Sequence, residues 1–113
     1  MLAGGQVSLP KSIEGRVTIL RRAKLWERVR DHLDAAGITT EDLFSESTQP
    51  VVTRARADVM CMLQDELSWS LPRIGEFFGK HHSTVLYAIR RRNERVAALR
   101  SAIEAEAAAK AAR

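Results

Sequence analysis

The 113-residue sequence holds one cysteine, three prolines, six glycines and only 5% aromatic residues. Each scarcity excludes something. A lone thiol, Cys61, can neither close an intrachain disulfide nor complete a multi-cysteine zinc site. Its place within VMCMLQDEL marks it as a buried, inert side chain in a reducing compartment. With so few aromatics there is no interleaved basic and aromatic surface for stacking single-stranded nucleic acid. No apolar run approaches the roughly 20 residues needed to span a bilayer. The opening MLAGGQVSLPKSIEGR has neither the charged start nor the apolar centre of a signal peptide, so a cytoplasmic protein without a membrane partner is expected. No stretch alternates as a strand does, no segment repeats, and no GxxxxGK[ST] phosphate loop occurs.

What is present is 45% hydrophobic and 28% charged, the make-up of one folded domain rather than a disordered chain. The formal charge of +4 is unevenly placed. From Asp31 to Thr48 there are five acids and no Lys or Arg, whereas Gly79 to Arg100 carries six basic residues against Glu94 alone. The basic end surrounds GKHHSTVLYAIRRR, and the partner of that end is the main question.

Apolar spacing organises the rest. Residues 1–16 read as a flexible arm. From Val17 to Ala36, the positions Val17, Leu20, Leu25, Val29 and Leu33 recur at helical intervals and Gly37 stops the run. ITTEDLF suggests a short helix capped by Thr39 or Thr40, with Leu43 and Phe44 turned inward. After the loop SESTQP, Thr53 to Leu67 forms the central helix, with Val59, Met60, Leu63 and Leu67 on its apolar face. Ser70 caps LPRIGEFF, where Pro72 falls in the first turn and does no harm. Gly79 turns the chain into a last helix with Val85, Leu86, Ile89, Val96, Leu99 and Ile103. The expected architecture is all-α, about five helices, with a domain over residues 17–100 and an Ala-rich helical tail over 101–113 that frays because it has nothing larger than alanine to bury near its end.

A helix of eight residues, a glycine turn and a second helix with polar residues at its start are the parts of a helix-turn-helix. In that motif the first turn of the second helix meets base edges in the major groove, which places His81, His82, Ser83 and Thr84 there, while Val85, Leu86 and Ile89 pack behind. Lys80, Arg90, Arg91 and Arg92 are then placed to meet flanking phosphates.

The wording is more specific than the pattern. SLPRIGEFFGKHHSTVLYAIR resembles the signature of the C-terminal DNA-binding domain of the bacterial replication initiator DnaA, approximately SLPEIGxxFGxRDHTTVLHA. Ser70, Leu71, Pro72, Ile74, Gly75, Phe77, Gly79, His82, Thr84, Val85, Leu86 and Ala88 match, with Lys80 and Ser83 as close substitutions. The resemblance covers roughly residues 20 to 95 and implies a Trp-repressor-like domain binding a short asymmetric duplex site. Carried over, Lys80, His82, Ser83 and Thr84 fall where the family contacts phosphates and base edges.

Three departures accompany it. The family's Asp, an acceptor for cytosine, is His81 here, so the preferred base should change. The family's basic minor-groove loop aligns with SESTQPVV, which contains no base, and Arg54 and Arg56 are the candidates to replace it as phosphate contacts. A lysine near the end of the central helix is replaced by Asp65, a charge reversal expected close to the phosphate track.

Other chemistry fits poorly. Adjacent His81 and His82 diverge by about 100° on a helix and have no third ligand nearby, so no metal is expected. Ser83 beside His82 is a helix start rather than a nucleophile with its base, so no enzyme, cofactor or small-molecule substrate is expected. Without a phosphate loop the sequence is not that of a complete initiator. The expected partner is double-stranded DNA, in a bacterial or phage-encoded, nucleoid-associated regulator of transcription or modulator of replication. The competing expectation is a protein-interaction module using the acidic face from Asp31 to Glu46 or the last helix. A homodimer through Val96, Leu99 and Ile103 also fits, although one short stripe does not establish a coiled coil.

Overall fold

The computed structural model describes residues 9–112. They form six helices: α1 (Ile13–Arg22), α2 (Trp26–Ala36), α3 (Thr40–Leu43), α4 (Pro50–Leu67), α5 (Leu71–Phe78) and α6 (His82–Ala111). No strand occurs among the described residues.

The predicted arm and first helix need correction. The part of the arm at residues 1–8 lies outside the described residues, but residues 9–16 are integral to the fold. Ser12 caps α1 by accepting the Gly15 N–H at 3.0 Å. Leu9 is buried, its N–H donating to the Glu76 carboxylate at 3.1 Å, and Arg16 is buried with its guanidinium 4.9 Å from the Phe44 ring centroid. The single helix expected over residues 17–36 is two. Lys24 adopts φ 62°, the Lys24 N–H bonds the Arg21 carbonyl at 3.0 Å, and the Leu25 N–H bonds the Leu20 carbonyl at 2.9 Å. That is a Schellman ending, with Leu20 and Leu25 both buried across it.

Elsewhere the local chemistry decides as expected. Gly37 ends α2 at φ 72°. Thr39 and Asp42 form a reciprocal capping box on α3 at 3.0 and 3.1 Å. α4 begins at Pro50 rather than Thr53, since proline lacks only a donor that the first turn leaves unused. Ser70 caps α5 and Gly79 ends it at φ 68°.

α4 is the hub, packed by α2, α3, α5 and α6. Val59, Met60 and Leu63 meet Val29, Ile74, Phe77 and Val85 in a core where each is almost wholly buried. Trp69 behaves as a plug, edge-on to Phe77 at 5.5 Å. Cys61 lies in this core, and burial pushes its thiol up, which disfavours the reactive thiolate. The α5–α6 corner is fixed by Gly75: the Lys80 N–H bonds the Gly75 carbonyl at 2.8 Å, and a β-carbon at Gly75 would collide with the Lys80 carbonyl.

α6 has 30 residues, about 45 Å of helix, and accounts for much of the 63 Å long axis of the molecule. Its first half packs on α4 and α5. Every residue from Val96 to Ala112 is exposed, so the Ala-rich tail continues as helix without burying a face.

Candidate nucleic-acid interface

The corner between α5 and α6 presents the first turn of α6 to solvent. His81 is its N-cap: Nδ1 lies 3.1 Å from the Ser83 N–H nitrogen and 2.7 Å from Ser83 Oγ. Accepting the backbone N–H requires a lone pair on Nδ1, which leaves Nε2 to carry the ring proton. His81 therefore has a local duty, the same one an aspartate performs well at this position. The His82 ring stacks on it at 4.1 Å. His81, His82, Ser83 and Thr84 are all exposed at this turn, though only Thr84 borders the adjoining groove.

That groove, about 500 Å³, runs between α6 and the segment from Glu46 to Met60. Successive helical residues turn by about 100°, so Thr84, Tyr87, Ala88, Arg91 and Arg95 share the α6 side of it, with Arg54 and Lys80 opposite or at its end. Arg91 donates to the Tyr87 hydroxyl at 2.9 Å and its guanidinium carbon lies 5.6 Å from that ring's centroid. Tyr87 and Arg95 had not been singled out in the sequence. Their signal was the spacing of three, four and four from Thr84 through Tyr87 and Arg91 to Arg95.

The three consecutive arginines do not act together. Arg91 faces the groove and Arg90 is exposed beside it, one hundred degrees of turn away. Arg92 is turned to α4, where Nε lies 3.1 Å from Asp58 Oδ1 with both side chains about 30% exposed. The expectation that Arg92 meets phosphate gives way to that ion pair. Arg56 departs more sharply from expectation. It is 6% exposed, and four of its five N–H donors reach the carbonyls of Asp42, Leu43, Ser45 and Ser47 at 2.9 to 3.4 Å. Instead of meeting phosphate it fixes the loop ahead of α4, satisfying carbonyls left over at the end of α3.

That pinned loop carries Glu46 into the groove. Glu46 Oε1 sits 2.8 Å from Lys80 Nζ, with Lys80 17% exposed and Glu46 90% exposed. The hydrogen bond from Lys80, reinforced by its charge, holds the Glu46 carboxyl below the usual carboxylate range. Asp65, expected near the phosphate track, lines a separate depression with Arg28, His32, Asp58, Cys61 and Arg92. No group of three metal-ligating side chains occurs among the described residues, and no described helix is long and apolar enough to cross a membrane.

Comparison with known proteins identifies the family of the domain. Residues 29–91, more than half of the chain and including α5 and the first third of α6, match the bacterial DnaA protein helix-turn-helix family. The chain is 41% identical over 56 residues to the chromosomal replication initiator protein DnaA of Picosynechococcus sp. (strain ATCC 27264 / PCC 7002 / PR-6), covering 49% of this chain and 12% of that protein. It is 33% identical over 88 residues to DnaA of Gloeobacter violaceus, covering 72% of this chain and 20% of that protein. For DnaA of Leifsonia xyli subsp. xyli the identity is 36% over 58 residues, 50% of this chain and 12% of that protein. The chain thus spans no more than a fifth of the length of these relatives. No solved structure matched significantly. The matched unit is a DNA-binding helix-turn-helix and not a catalytic domain. The chain belongs to the bacterial DnaA helix-turn-helix family.

Proposed function

We propose that this protein binds double-stranded DNA in a sequence-selective way, entering the major groove with the first turn of α6 and gripping phosphates along the adjoining basic groove. His82, Ser83, Thr84 and the Nε2 edge of His81 face the bases in this reading. Arg54, Arg91 and Arg95 face phosphates, Lys80 is held back from them by Glu46, and Arg90 meets the backbone at the outer edge. The observation that carries the reading is the convergence of Thr84, Tyr87, Arg91 and Arg95 on one face of α6 with Arg54 and Lys80 across from them. Such a face joins a polar reading edge to a row of cations, the two kinds of group that base readout and phosphate contact call for.

These 113 residues carry no phosphate-binding GxxxxGK[ST] loop, so the reading rests on occupancy of DNA sites by this domain and not on ATP-driven melting. Control of transcription, or modulation of replication by competing for initiator sites, follows as its role. Fluorescence anisotropy on labelled duplexes tests the binding reading. Affinity should fall steeply between about 50 and 200 mM salt, and Arg54→Ala with Arg91→Ala should flatten that dependence. Salt-insensitive binding, or binding unaffected by the two substitutions, would count against it.

A further inference from the structure

The second half of α6 is an unusual object: fifteen residues of exposed helix lie beyond Val96, and the stretch still carries large apolar side chains. Val96, Leu99 and Ile103 are 36%, 63% and 58% exposed. They continue, at intervals of four, three and four, the same seam that Val85, Ile89 and Arg92 turn toward α4 and the core. An exposed helix of this length is marginal without a partner. The seam therefore leaves the domain with nothing to meet among the described residues.

Charge decides what fits it. In a parallel pair, Arg95 of one chain would face Arg100 of the other, while Glu106 would meet Glu106 across the seam, all like charges. In an antiparallel pair centred near Ser101, Leu99 packs on Ile103 of the partner subunit on both sides of the twofold axis. Val96 then lies against the stem of the partner subunit's Glu106, whose carboxylate reaches Arg95. The same overlay brings Arg100 beside Arg100 of the partner subunit at the twofold axis, with the partner subunit's Glu104 within one turn of each, so this is the one like-charge approach among the central positions. Ala102 and Ala107 flank the seam and let the helices approach closely. Farther toward the domain the seam is occupied by α4, which Arg92 meets through Asp58, so the complementary stretch ends before Arg92.

We infer that a second copy of this chain covers the stripe, forming an antiparallel homodimer through Val96, Leu99 and Ile103 with Arg95–Glu106 pairs at its flanks. Arg95 borders both the dimer seam and the DNA groove, so self-association and phosphate contact share one side chain. The two reading edges then point away from each other at opposite ends of a common rod.

Sedimentation equilibrium on the full chain, from about 10 µM to 1 mM, tests this. A concentration-dependent monomer–dimer equilibrium is expected, and Leu99→Glu should abolish it without lowering the melting temperature, because Leu99 lies outside the core. Glu106→Arg should weaken the dimer roughly tenfold, and adding Arg95→Glu should return it to within about threefold of the original. Orientation is read by disulfide trapping in a Cys61→Ala background. Ala102→Cys should cross-link, since flanking positions of this type adjoin only in the antiparallel arrangement, and Leu99→Cys should not. A chain that stays monomeric at the highest concentration overturns the inference, as does a dimer that survives Leu99→Glu. Cross-linking through Leu99→Cys in place of Ala102→Cys overturns the antiparallel arrangement.

Discussion

Glu46→Gln asks whether the loop ahead of α4 restrains the groove. The carboxylate lies 2.8 Å from Lys80 Nζ, so a phosphate arriving at Lys80 must displace a group of its own charge sign. Because the Glu46 carboxyl is held below its usual range, the pair is complete above the ordinary carboxylate value and is lost only as pH falls through the lowered one. At neutral pH the restraint is therefore intact. Each phosphate neutralised on B-DNA contributes about 0.9 to the slope of log affinity against log salt. Glutamine keeps the shape of Glu46, removes its charge and frees one ammonium. The slope should steepen by about 0.9, so that the affinity lost between about 50 and 200 mM salt grows by a further factor of about 3.5. Anisotropy titrations at several salt concentrations read this directly, with tighter binding expected at the low end. Lys80→Met should change little in the parent chain but erase the gain in the Glu46→Gln background. An unchanged slope in Glu46→Gln, or weaker binding at low salt, would refute the reasoning.

Three further substitutions separate grip from scaffold. Arg54→Ala and Arg91→Ala together should lower the salt slope by about 1.8, whereas Arg92→Ala should leave it unchanged and lower stability by about 1 kcal/mol through its Asp58 pair, as read by DNA titration and thermal melting side by side. Arg56→Met should destabilise the fold by about 3 kcal/mol in urea unfolding, since it strands the carbonyls of residues 42–47 that the guanidinium now satisfies. Gly75→Ala should lower stability by about 2 kcal/mol and weaken DNA binding as well, because the collision with the Lys80 carbonyl moves α6 relative to α5.

The helix-turn-helix was legible because each of its signals is local: Ser70 as cap, Pro72 in the first turn, Gly79 where the chain reverses. The break after α1 was legible too, in a form easily passed over. Leu20 and Leu25 are five residues apart, which a continuous helix would place about 140° from one another, and both are buried. The site was less legible where function depends on what lies opposite. RRR reads as one basic patch along the chain, yet the turn of the helix sends Arg91 to the groove and Arg92 to Asp58. Arg56 looked like a substitute for a missing basic loop, and only the folded arrangement reveals the unsatisfied carbonyls around it. Glu46 and Lys80 are 34 residues apart, and no local pattern announces their pairing. His81 was read as a base contact from its position; its Nδ1 proves occupied by the cap, which leaves one ring nitrogen for recognition.

Sequence-selective duplex binding through α6 is the central claim, and selection of bound sequences from a random duplex library tests it most directly. The account predicts a single enriched motif whose preferred base at one position shifts when His81→Asp, a substitution that preserves the cap, replaces a donor edge with an acceptor. Recovery of all sequences in equal proportion, or the same motif from both proteins, would contradict it.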